Sequence, residues 1–81
     1  MKIRVLFFAM LREKFRKDEG EFNALPGETV QAFTERLLIP QLDSPQAIKS
    51  LFFAVNQEYV AKDYILKEGD ELALIPPVAG G

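Results

Sequence analysis

Apolar residues recur along this chain in two different periods, and the switches between them mark its elements. From Lys2 to Ala9, β-branched, leucine and aromatic side chains dominate, which predicts a first strand. Alternation assigns Ile3, Val5, Phe7 and Ala9 to one face and Lys2, Arg4, Leu6 and Phe8 to the other. A short polar, helical piece is expected over Met10 to Lys17, with Gly20 allowing a turn and Glu21 to Leu25 forming a second strand. Pro26-Gly27 suits the two central positions of a type II turn. Thr29 is placed to cap a helix, and Val30, Phe33, Leu37 and Leu38 follow at helical spacing while Gln31, Thr34 and Glu35 point away. Pro40 ends that helix. Gln41 to Ser50, interrupted by Pro45, reads as loop with a short helical turn. A strand is expected over Leu51 to Gln57, with Glu58 to Ala61 as its extension or partner. Lys67 to Asp70 reads as a turn and Glu71 to Ile75 as the last strand, Leu72 and Leu74 alternating against Glu71 and Ala73.

Strand, strand, helix, strands is the order of an α+β domain, because one amphipathic helix can cover only one face of a sheet. The expected organisation is a single domain over residues 1–81 with a flexible tail over 76–81. The other sheet face changes character along its length. In the first strand it begins with Lys2 and Arg4 and ends with Leu6 and Phe8, and in the last strand Glu71, Ala73 and Ile75 follow the same trend. If the two strands are neighbours, Leu6, Phe8 and Ile75, joined by Tyr59, make an exposed apolar patch where the tail departs. Such a patch marks a partner surface unless a loop covers it.

The tail itself is the second candidate. Pro76 and Pro77 fix φ and donate no hydrogen bond, so they stop the strand and send the chain stiffly outward. Val78, Ala79, Gly80 and Gly81 then span roughly 14 Å when extended. Two glycines without Cβ atoms let a terminal carboxylate enter a channel too narrow for other residues. Termini are disordered by default. This one is nonetheless built like a substrate for another protein's active site.

Composition narrows the chemistry. The sequence holds no histidine and no cysteine, so the usual general base, thiolate ligands and disulfides are all missing. Ser44 and Ser50 have no imidazole to activate them, and no glycine-rich phosphate loop is present. No bound metal or cofactor is expected, nor an enzyme with catalytic side chains of its own. A net charge of −2 and a pI near 5.0 argue against nucleic acid. Arg12, Lys14, Arg16 and Lys17 form the one basic cluster, but Glu13, Asp18 and Glu19 interrupt it, as on a solvated face. Lys2 and Arg4 before an apolar run imitate a signal peptide. The run is short, however, and Arg12-Glu13-Lys14 follows at once without a cleavage site, so a cytoplasmic strand with no membrane span is expected.

With these residues in view, the chain resembles the β-grasp, ubiquitin-like sulfur carriers, and within them the small-subunit family of molybdopterin synthase. The resemblance runs the full length. It is carried by Val5-Leu6-Phe7-Phe8-Ala9 with Arg12-Glu13, by Ala54-Val55-Asn56-Gln57, and by Gly69-Asp70-Glu71 leading to Pro76-Pro77-Val78-Ala79-Gly80-Gly81. The family often has a hydroxyl residue at the place of Ala79 and aromatics at those of Leu74 and Ile75.

The resemblance implies a mixed sheet with one main helix on one face. It also implies that Gly81 is adenylated by a ubiquitin-activating-like adenylyltransferase using ATP and then becomes a thiocarboxylate at the expense of a persulfide donor. That group would pass its sulfur to a cyclic pyranopterin phosphate inside the synthase large subunit. Gly80, Ala79, Val78, Pro77 and Pro76 would insert with it, while Phe8, Ile75, Tyr59, Leu6 and Arg12 would bind the partner. The sulfur carrier of thiamine synthesis and a ubiquitin-like protein modifier remain alternatives, as does an interaction module with an inert tail.

Overall fold

The computed structural model describes residues 1–41 and 46–77. Five strands form one sheet in the order β2-β1-β5-β3-β4, where β1 is Lys2–Phe7, β2 Glu19–Asn23, β3 Phe52–Val55, β4 Glu58–Val60 and β5 Glu71–Ile75. The sheet is mixed. β1 pairs antiparallel with β2 and parallel with β5, and β5 pairs antiparallel with β3. The first and last strands are therefore neighbours near the centre, which meets the condition for their outer faces to form one patch.

One helix, α2 (Val30–Leu38), covers the inner face. The Thr29 hydroxyl accepts a hydrogen bond from the Ala32 N–H at 3.1 Å, which satisfies one of the free donors of the first turn. Val30, Phe33 and Leu38 are buried with Ile3, Val5, Phe7, Phe53, Val55, Leu72 and Leu74 in a single core, and Leu37 packs against it half-buried. Thr34 differs from expectation. It is fully buried, and its hydroxyl has no hydrogen-bond partner among the described residues. The stripe that α2 buries is wider than its large apolar residues alone indicate.

Turns account for the other differences. The Pro26-Gly27 turn forms as expected, with Gly27 at φ 79° and the Glu28 N–H bonded to the Leu25 carbonyl at 3.0 Å. Gly20 is not a turn residue but lies inside β2 opposite Val5, and that strand ends at Asn23 rather than Leu25. The reversal is made earlier, by Arg16 in the left-handed region (φ 57°) at the end of α1 (Met10–Phe15). β1 stops at Phe7, so Ala9, expected on the core face, is instead an exposed residue at φ 50° that starts α1. Asn56 and Gln57, expected inside a strand, adopt φ 52° and 72° and form a two-residue hairpin turn between β3 and β4. After α2 the chain tightens into a 3-10 turn over Ile39–Gln41, and a short helix, α3 (Gln46–Lys49), leads into β3. No helix among the described residues is long and apolar enough to cross a membrane.

Candidate functional site

The sheet's outer face is built of cross-strand rows. At one end Arg4 stands between Glu21 and Glu71, a charged row. One pleat further on, Leu6 lies opposite Ala73, Ala73 opposite Ala54, and Ala54 opposite Tyr59, so an apolar row crosses four strands. In the next row Ile75 faces Phe52. Side-chain period two in every strand keeps these residues on the face that no helix among the described residues covers.

Two alanines at the centre with Leu6, Tyr59, Phe52 and Ile75 around them make a shallow floor with an apolar rim. Tyr59 is 76% exposed and Phe52 56%, and their rings meet edge to face at a centroid distance of 6.5 Å. Such large aromatics held rigidly in the open are the anchors from which protein interfaces are made.

Phe8 reaches the same end of the sheet by another route. It follows β1 rather than belonging to it, and it is 42% exposed with Met10 beside it. The Phe8 carbonyl accepts from the Leu11 N–H at 3.0 Å, tying the exposed ring to the first turn of α1. Ile75 is the last residue of β5, and Pro76 and Pro77 follow without regular structure. Leu6, Phe8, Tyr59 and Ile75 thus share one face or its rim, at the end where the chain leaves β5. Arg12 belongs to α1, where its Nε is 3.8 Å from an Asp18 carboxylate oxygen with both side chains exposed. Val78, Ala79, Gly80 and Gly81, expected to enter the partner, lie outside the described residues.

Phe52 and Ala54 are members of this surface that the strand pattern leaves unassigned. The signal was available: Phe52 and Ala54 alternate against Phe53 and Val55, the same parity that separates Leu6 from Val5. A run of four apolar residues hides that alternation, because either face can be the core.

The far end of the sheet is secured by polar groups. The buried Asp70 carboxylate accepts from the Asn56 side-chain amide at 3.0 Å and from the Lys67 N–H at 2.8 Å. Asn56 in turn accepts from the Glu71 N–H at 3.1 Å, which locks the β3–β4 turn to the start of β5. Arg36 of α2 donates twice to Glu28, at 2.7 and 2.9 Å, and once to the Asn23 carbonyl at 3.0 Å. These bonds from Arg36 hold the Glu28 carboxyl below the usual carboxylate range, against the opposing effect of burial.

One helix across one face of a five-stranded mixed sheet, with first and last strands parallel at the centre, defines a ubiquitin-like β-grasp domain. The chain belongs to the ThiS family, which matches residues 5–81. It is 40% identical to the molybdopterin synthase sulfur carrier subunit of Chlamydomonas reinhardtii, with both chains covered in full. It is also 40% identical to the subunit of that name from Escherichia coli, over 98% of this chain and 99% of the other. Among solved structures it is similar to SAMP1 from Haloferax volcanii, with a TM-score of 0.81, 27% identity and full coverage of both chains.

Proposed function

We propose that this chain is the sulfur carrier subunit of a molybdopterin synthase. The observation that carries this reading is the full-length 40% identity to two proteins of that name. The open apolar floor beside the exit from β5 adds physical support, because a carrier needs a docking surface next to the group it delivers.

In this reading Gly81 is the reacting residue. A terminal carboxyl ionises at about 3.3–3.7, so at neutral pH it is an anion and a poor electrophile. A ubiquitin-activating-like enzyme therefore joins it to AMP at the expense of ATP. The terminal sulfur of a persulfide donor displaces the AMP to form an acyl disulfide, and a second thiol of the donor cleaves that S–S bond, becoming a disulfide with the donor sulfur and leaving a thiocarboxylate. The large subunit then receives that end and transfers its sulfur to cyclic pyranopterin monophosphate. Gly80 lets the backbone pass a narrow channel, Pro76 to Ala79 set the reach, and Leu6, Phe8, Tyr59, Ile75 and Arg12 hold the partner. The carrier needs no cysteine, since its sulfur rides on the main chain. Acids and bases belong to the partners.

The test has two arms. Intact mass of protein purified from its own cells is expected to show a fraction heavier by the difference between sulfur and oxygen. Removing Gly81 leaves a carboxylate set back by up to about 3.6 Å. Because a misplacement of about 1 Å already costs on the order of a hundredfold in rate, the shortened protein is expected to fold but not to support ATP–pyrophosphate exchange or product formation. Equal activity of both lengths overturns the reading, and isopeptide-linked ladders in place of the thiocarboxylate favour a protein modifier.

A further inference from the structure

At the free edge of the sheet, on the side of α2, a groove of about 760 Å³ opens between β3, β4, α3 and the start of α2. Its walls are Ile48, Leu51, Phe52, Phe53, Tyr59 and Val60, and its polar groups are Gln31, Lys49 and Lys62. Phe52 and Tyr59 line the groove and also rim the apolar floor described above, so the two surfaces meet around the sheet edge at these rings.

Two features separate this groove from an ordinary surface hollow. The first is charge. The protein is acidic overall, yet among the described residues the groove is lined by two cations and no carboxylate. Among the described residues neither Lys49 nor Lys62 has an ion-pair partner, whereas Arg4, Arg12 and Arg36 each have one. The second is fixed geometry. The Lys62 carbonyl accepts from the Gln31 N–H at 3.1 Å, which ties the segment carrying that lysine to the first turn of α2. β4 forms the last strand of the sheet, so one side of its backbone is free of sheet pairing along the groove.

We propose that this groove is a second docking site, which takes a partner segment carrying an aliphatic or aromatic side chain flanked by carboxylates. This rests on the sulfur-carrier reading, and it assigns the segment to the synthase large subunit. The apolar side chain enters between Ile48, Leu51, Phe52 and Val60, while its acidic neighbours meet Lys49 and Lys62. The floor then gives the complex its contact area, and the groove fixes its orientation and speeds its encounter by charge.

Calorimetric titration of the full chain with the purified large subunit tests this, at low and at high salt. For Lys49→Glu combined with Lys62→Glu, the Kd at low salt is expected to rise by roughly tenfold or more, with a flatter salt dependence than the unsubstituted chain. Both lysines are exposed, so thermal melting is expected to be unchanged. The corresponding pair of arginine substitutions is expected to bind normally. Carbodiimide coupling should also join Lys49 or Lys62 to carboxylates of one short segment of the large subunit, identified by mass spectrometry. An unchanged Kd and salt dependence for the double glutamate variant overturns the groove. If Ile75→Asp still weakens binding in that case, the sulfur-carrier reading survives. Failure of the unsubstituted chain to bind the large subunit overturns both.

Discussion

The two ends of the sheet are built on different principles. At the end where β1 and β5 begin, hydrogen bonds converge: Asp70 on Asn56 and Lys67, Arg36 on Glu28 and Asn23, and the Met1 ammonium on the Ala24 carbonyl at 3.0 Å. At the end where those strands finish, the outer surface is Phe8, Phe52, Tyr59 and Ile75, and it is open. Polar groups satisfied by one another contribute to stability but offer little to a partner. Exposed aromatics on a rigid sheet contribute little to stability, and they keep their burial energy for whatever docks on them. One end holds the fold, and the other stays exposed.

The largest effect expected from this division belongs to Asp70→Ala. Its loss strands the Asn56 amide and the Lys67 N–H, and it is expected to cost about 2–3 kcal/mol of unfolding free energy, measured in urea. Partner affinity, corrected for the fraction folded, is expected to stay the same. A stability change within experimental error would show that the polar end does not hold the fold.

Ile75→Asp reverses that pattern. Unfolding free energy is expected to change little, within about 0.5 kcal/mol, while binding to the large subunit loses about 2 kcal/mol. A collapse of thermal stability instead would make the open end part of the core.

The smallest effect is the response of Glu28 to acid. Its folded carboxyl ionises below the usual glutamate value because of the bonds from Arg36. The unfolded chain therefore takes up the proton first. This contribution to stability is complete above about pH 4.3 and is lost as the pH falls through the lower folded value. Half the Arg36 side chain is in water, so less than about 1 kcal/mol is at stake. Glu28→Gln is expected to flatten the acid limb of stability against pH by that amount, and an unchanged limb would assign it to other carboxylates.

Most of the fold could be read from the residues because its signals are local. Thr29 before Val30, Phe33 and Leu38 specifies α2, Pro26-Gly27 specifies its turn, and the alternation through Leu72 and Leu74 specifies β5. What escaped lies where tertiary structure overrides local preference. Ala9, Arg16 and Gln57 have positive φ without being glycine, so no residue type announces those reversals, and Asn56, a type that does favour positive φ, directly follows an apolar run that reads as strand. Gly20 carries the turn signal and sits in a strand, opposite Val5. The site was legible in its parity at Leu6 and Ile75, which share a side of two central strands. It was hidden at Phe52, where every neighbour in β3 is apolar.

The position of β5 has a mechanical consequence. A tail gripped inside a partner's channel transmits load directly into the strand that precedes it. β5 is hydrogen-bonded to β1 on one side and to β3 on the other, so a pull along the tail shears two ladders at once. Strands at the centre of a sheet open only at a free energy close to that of global unfolding. In the sulfur-carrier reading, the tail is thus a handle anchored in the part of the protein that yields last.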